Sequence, residues 1–104
     1  MVTYIFQCAS CEAGYVGKTS VNFTTRVHQH LGKSAITKRD MSTPPNSAVY
    51  LHSKNKKHPI SENDFSILNV CNSEEALSIT EAIQIKLKSP KLNGKLDVAH
   101  LYTL

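Results

Sequence analysis

YIFQCASCEAGYVGKTS (4–20) places two tyrosines, two cysteines, two glycines and a lysine in seventeen consecutive positions. VTYIFQ (2–7) is β-branched and aromatic, and AGYVG (13–17) is a second short β-prone piece. CASCE (8–12) between them predicts the turn of a hairpin. Gly17-Lys18-Thr19 matches the end of a phosphate-binding loop, whose first glycine would fall at position 12. Glu12 stands there instead, a carboxylate where phosphate should sit, so that loop is excluded.

Outward from the hairpin, SVNFTTRVHQHLGK (20–33) predicts a helix capped by Ser20 or Asn22. Phe23, Val27 and Leu31 repeat along it at four-residue spacing, and Gly32 ends it. SAITKRDMSTPPN (34–46) reads as a polar loop, and SAVYLHSKNKKHP (47–59) as a short helical segment running into a lysine-rich loop. DFSILNVC (64–71) is the clearest strand. Ser73 then caps EEALSITEAIQIKLK (74–88), with two glutamates in the first turn and lysines in the last, as the helix dipole prefers. Pro90 stops that helix, and Asn93-Gly94 suggests a turn. This order predicts an α+β domain: a small, mostly antiparallel three-stranded sheet flanked by helices. The domain is expected over 1–95, with 96–104 as a tail.

A chain of 104 residues has room for one domain. It buries only about two-thirds of the surface exposed when unfolded, so a covalent or metal staple would help. It has no Trp and is 40% hydrophobic, which predicts a modest aliphatic core. Twelve Lys and Arg against eight acids give a charge of +4, and the pI is about 9.1, a balance that favours a polyanionic partner. No apolar run approaches the ~20 residues of a membrane span, and no secretory leader is read. The expected setting is intracellular, nuclear in a eukaryotic host, with reduced thiols.

Three groups of residues carry chemistry. Cys8 and Cys11, two residues apart in a tight turn, suit a tetrahedral ion, with His52 and His58 forty residues on to complete it. The alternative is a thiol pair beside two surface histidines. Arg26 and His30 lie one turn apart and emerge at the rim of the core. They form either a solvated helix face or a phosphate clamp beside a proton carrier. Glu81 interrupts an apolar row between Leu77 and Ile85, so it either snorkels at the core edge or holds a hard cation. Cys71, at the end of a strand, reads as a buried core thiol.

In order along the chain, these residues resemble the GIY-YIG nuclease family. Tyr15-Val16-Gly17 is similar to its second signature, and Tyr4 falls where the first signature ends, although Val2-Thr3 replaces Gly-Ile. Arg26, His30, Glu81 and Asn93 match its remaining marks, over roughly residues 1–95. The cysteine pair between the tyrosine motifs, with His52 and His58 downstream, further resembles the version carried by Penelope-like retroelements. There the nuclease domain follows a reverse transcriptase, and these four residues form a zinc-finger-like insert.

The resemblance implies a DNA endonuclease with Mg²⁺ or Mn²⁺ on Glu81 and a structural Zn²⁺ on Cys8, Cys11, His52 and His58. Arg26 would offset phosphate charge, Tyr4 would act as general base with Tyr15 positioning, and His30 would receive the proton. Asn93 would orient the site. Because a free tyrosine has a pKa of about 10, Tyr4 must either be acidified by cations or pass its proton onward. Lys18, Lys54, Lys56 and Lys57 are the expected DNA contacts. Two other readings stand beside this one: a non-catalytic zinc-stabilised nucleic-acid-binding module, and a zinc-dependent protein-interaction domain.

Overall fold

The computed structural model describes residues 1–33 and 47–93, so the loop read at 34–46 and the chain from 94 onward lie outside the described residues. β1 (Val2–Gln7) and β2 (Gly14–Thr19) pair antiparallel, with Val2 opposite Thr19 and Gln7 opposite Gly14. The cysteine-bearing connection is closed by Cys8 N donating to Ala13 O at 2.9 Å. β3 (Phe65–Val70) adds antiparallel on the far side of β1, giving the order β2-β1-β3. Among the described residues, three α-helices complete the α+β fold that the sequence predicts.

β1 is central, and Thr3, Tyr4 and Phe6 on it are 0% exposed. β3 is an edge strand, which leaves Ile67 about half and Val70 about three-quarters exposed despite its apolar run. That edge position also corrects the reading of Cys71. It lies just past β3, half-buried, with Sγ 3.8 Å from Thr80 Oγ1.

Helix α1 (Phe23–His30) starts at Asn22, whose Oδ1 accepts from Thr25 N at 3.3 Å. Gly32 follows with φ +76, and a Cβ there would sit 2.5 Å from the Tyr50 ring, so backbone and packing both require glycine. Helix α2 (Ala48–Lys56) begins at Ser47, whose Oγ accepts from Tyr50 N at 3.2 Å. It runs through Lys54 and Lys56, which the sequence reading left in a loop, and Val49 is its buried residue. Helix α3 (Glu74–Lys88) has the expected bounds, and Ser73 Oγ accepts from Ala76 N at 3.1 Å.

Residues paired directly across antiparallel strands share a face. Tyr4, Phe6, Tyr15 and Gly17 therefore point the same way, into a core with Cys8, Ala13, Val27, Val49 and Phe65 that α1 and α2 cover. The other face meets α3: Lys18 Nζ donates to Ser78 Oγ at 2.9 Å, and Gln84 Nε2 to Asn69 Oδ1 at 3.4 Å.

Candidate active site and metal cluster

The phenol of Tyr4 is the centre on which α1 and β2 converge. Gly17 pairs directly with Tyr4, and a Cβ there would lie 2.5 Å from the Tyr4 Cζ and hydroxyl and 2.9 Å from Tyr15 Cε2. The missing side chain is what lets the phenol lie across β2. Tyr15 and Phe23 flank it, with ring centroids 6.4 and 5.8 Å away.

The Tyr4 hydroxyl lies 2.7 Å from His30 Nε2 and 3.4 Å from Arg26 Nε. A guanidinium can only donate, so the phenol oxygen accepts from Arg26. Burial raises the Tyr4 pKa, opposed by the hydrogen bond and charge of Arg26, with the Glu81 carboxylate raising it further. Desolvation therefore wins over the neighbouring cation. His30 is pushed down to about 4, first by burial and then by Arg26. Both groups rest neutral at physiological pH.

Arg26 is braced by Gln29, whose Oε1 accepts from Nη1 at 3.1 Å. Beside it opens a cavity of about 420 Å³ lined by Lys18, Ser20, Arg26, Gln29, Glu74 and Ser78. Two cations with hydroxyl and amide groups, against the single Glu74 carboxylate, suit an anionic group such as a phosphate. Glu81 lies half-buried on α3 between the buried Leu77 and Ile85, close enough for its charge to act on Tyr4. Asn93 grips the backbone of Val16, the residue after Tyr15.

Of the residues singled out in the sequence, Tyr4, Tyr15, Arg26 and His30 form one cluster, with Glu81 and Lys18 beside it. Lys54, Lys56 and Lys57 are exposed at the far end of α2. Nine helical residues put that end about 13 Å from Ser47. Gln29 and Ser47 were not singled out. Ser47 Oγ lies 2.6 Å from His30 Nδ1, and the only sequence signal for it is its place at the start of a helix.

A second cluster forms at the hairpin turn. Cys8 Sγ lies 3.6 Å from His58 Nδ1, Cys11 Sγ 3.5 Å from His52 Nε2, and the two histidine nitrogens are 3.4 Å apart. All four ligand atoms lie within 4.8 Å of one another. Zinc bonds of about 2.3 Å to sulfur and 2.0 Å to nitrogen, at tetrahedral angles, give edges of about 3.5 Å for S···N and 3.3 Å for N···N. The two S···N and one N···N distances above match those edges, and with all four donors within 4.8 Å of one another the residues fit the ion. Burial, then His58 and Lys56, lower the His52 pKa, which favours the neutral imidazole that ligates. Ala13 N points at Cys11 Sγ at 3.4 Å, the kind of outer contact that steadies a ligating thiolate.

Among the described residues, this is the one grouping of three or more Cys, His, Asp or Glu side chains that could hold a metal. A hard cation at Glu81 would have one protein carboxylate, which fits Mg²⁺ or Mn²⁺ completing its shell with water and substrate phosphate.

A family model described as the GIY-YIG catalytic domain matches residues 1–94. No curated protein and no solved structure matches the chain.

Proposed function

The chain belongs to the GIY-YIG catalytic-domain family, which makes it a nuclease domain, and from that premise we propose a divalent-metal-dependent DNA endonuclease that hydrolyses phosphodiester bonds. One observation carries the reading: the Tyr4 hydroxyl sits between His30 and Arg26, beneath Gly17 and beside a cavity lined by Lys18 and Arg26.

In this mechanism the scissile phosphate enters the cavity and is held by Arg26 and Lys18. Arg26, kept in place by Gln29, offsets the negative charge that grows on the pentavalent phosphorus. Tyr4 is fully buried, so a neighbouring side chain must move aside before water reaches the phenol. Tyr4 then takes the water proton while passing its own to His30 Nε2, and no free phenolate is needed. The bound phosphodiester also counters the Arg26 charge that disfavours the imidazolium. Tyr15 packs beside the phenol, and Asn93 holds the β2 backbone that carries Tyr15 and Gly17. When bound at Glu81, Mg²⁺ or Mn²⁺ supplies Lewis acidity at the phosphate and charge relief at the leaving oxygen.

Cys8, Cys11, His52 and His58 hold a structural Zn²⁺ in this reading, clipping the hairpin turn to α2. Lys54, Lys56 and Lys57 contact the DNA backbone away from the cut. The Cys/His cluster between and after the tyrosine motifs supports the retroelement-associated type, with a reverse transcriptase domain or protein as partner.

The test is supercoiled plasmid with the protein and Mg²⁺ or Mn²⁺. Wild type is expected to nick or linearise it, and Glu81→Ala and Arg26→Ala to lose the activity. A wild-type protein that shifts DNA on a gel with steep salt dependence, but never cuts it, would point to the non-catalytic binding module instead.

A further inference from the structure

We propose that Ser47 is a positioning residue for the reaction, holding His30 in the tautomer protonated at Nδ1, so that Nε2 is open to the Tyr4 proton. The hydrogen-bond directions follow from counting donors. Arg26 Nε donates to the Tyr4 oxygen at 3.4 Å, because a guanidinium has no acceptor. The single phenolic hydrogen then goes to its short partner, His30 Nε2 at 2.7 Å. A nitrogen accepting that bond carries no hydrogen of its own. A neutral imidazole has one N–H, which is left at Nδ1, 2.6 Å from Ser47 Oγ.

Ser47 is built for this. Its Oγ also accepts from Tyr50 N at 3.2 Å as the cap of α2, so helix geometry fixes the oxygen. Two accepted bonds use both lone pairs of the hydroxyl. The opposite arrangement has Ser47 donating to Nδ1 and His30 carrying its hydrogen at Nε2. Two N–H groups would then converge on the Tyr4 oxygen, and the buried phenol would lose its acceptor at 2.7 Å. Such a His30 could not take the Tyr4 proton at all. The cap of one helix thus sets the proton direction at the end of another.

The consequence for catalysis rests on the nuclease reading above, while the tautomer rests on geometry alone. The test uses the full chain, labelled with ¹⁵N at histidine, and long-range ¹H–¹⁵N spectra of the His30 ring. Wild type is expected to show Nδ1 protonated and Nε2 bare, a measurement that needs no variant to fold. Ser47→Ala is expected to give mixed tautomers, and Ser47→Thr to restore the wild-type pattern. In plasmid cleavage, Ser47→Ala should lose on the order of tenfold in kcat or more, within the ~10²–10⁴ that acid–base catalysis contributes, with KM little changed. Ser47→Thr should recover most of it. A wild-type His30 protonated at Nε2 overturns the proposal. So does a Ser47→Ala protein that cuts at the wild-type rate with its tautomer intact. Absence of cleavage by wild type would sink the nuclease reading and leave the tautomer result standing.

Discussion

Asn93 binds the backbone of Val16 through both ends of its amide, accepting from Val16 N at 2.7 Å and donating to Val16 O at 2.8 Å. The two residues are 77 positions apart, and Leu92 N adds a further bond to Gly14 O at 2.9 Å. The chain after α3 therefore completes the outer edge of β2 with a side chain in place of a strand. Asn93→Ala leaves two backbone groups without their partner. At about 1 kcal/mol net per hydrogen bond, it should lower stability by about 2 kcal/mol. Asn93→Asp keeps an acceptor but loses the donor, setting a carboxylate against a carbonyl, and should fare no better. Urea midpoints of the two variants check this.

Gly17 and Tyr4 leave no room for a methyl group. Gly17→Ala should cost about 1–3 kcal/mol by overpacking and also displace the phenol, so cleavage should be lost even where the protein stays folded. Gly14 is the comparison: a Cβ there would lie 3.2 Å from Phe6 O, tight but away from the tyrosines. Gly14→Ala should retain measurable activity. Equal loss from both would argue that the Tyr4 contact is not what matters.

His30 makes the fold sensitive to acid in a defined window. Its folded pKa of about 4 lies below the ordinary 6.5, so below pH 6.5 the unfolded chain takes up a proton that the folded one does not. Stability from this group is full above pH 6.5 and falls as pH drops toward 4, by at most about 3 kcal/mol. Acid also releases metal from a Cys/His site. The contribution of His30 is therefore the difference in denaturation midpoint between wild type and His30→Gln over that range. Parallel curves from pH 7 to pH 4 would refute it.

The cluster at the hairpin turn predicts one zinc per chain. Cys8→Ser should reduce bound zinc sharply, and a chelator should lower the melting temperature of wild type but barely affect the variant. Metal analysis that finds the same zinc content in both would disprove the four-residue ligand set.

The hairpin, α1 and α3 were legible because their signals are local. Ser73 and Asn22 cap their helices, and Leu77, Glu81 and Ile85 share a row that faces the sheet. The convergence of Tyr4, Arg26 and His30 was legible only through the resemblance, since nothing in the spacing of three residues places them around one oxygen. Gln29 and Ser47 escaped notice because their roles arise from tertiary contacts. Cys71 was misjudged for the same reason: strand order decides which strand lies at an edge, and no residue of β3 encodes that order. His28, buried and 2.7 Å from Glu62, ties α1 to the short 3₁₀ turn at 62–64, another long-range pairing without a local pattern.

Helix α2 is too short to persist alone, and Val49 gives it little apolar anchorage. Its order is borrowed at both ends, from the His30 contact at Ser47 and from the thiols that face His52 and His58. These contacts predict two cooperative units of unequal strength. The sheet and α3 should exchange their amide hydrogens only on global unfolding, whereas α2 should open sub-globally when the Cys/His cluster holds no ion. In the proposed mechanism the proton acceptor, His30, leans on the weaker unit, so the loss of an ion from the Cys/His cluster should loosen it well before the fold itself gives way.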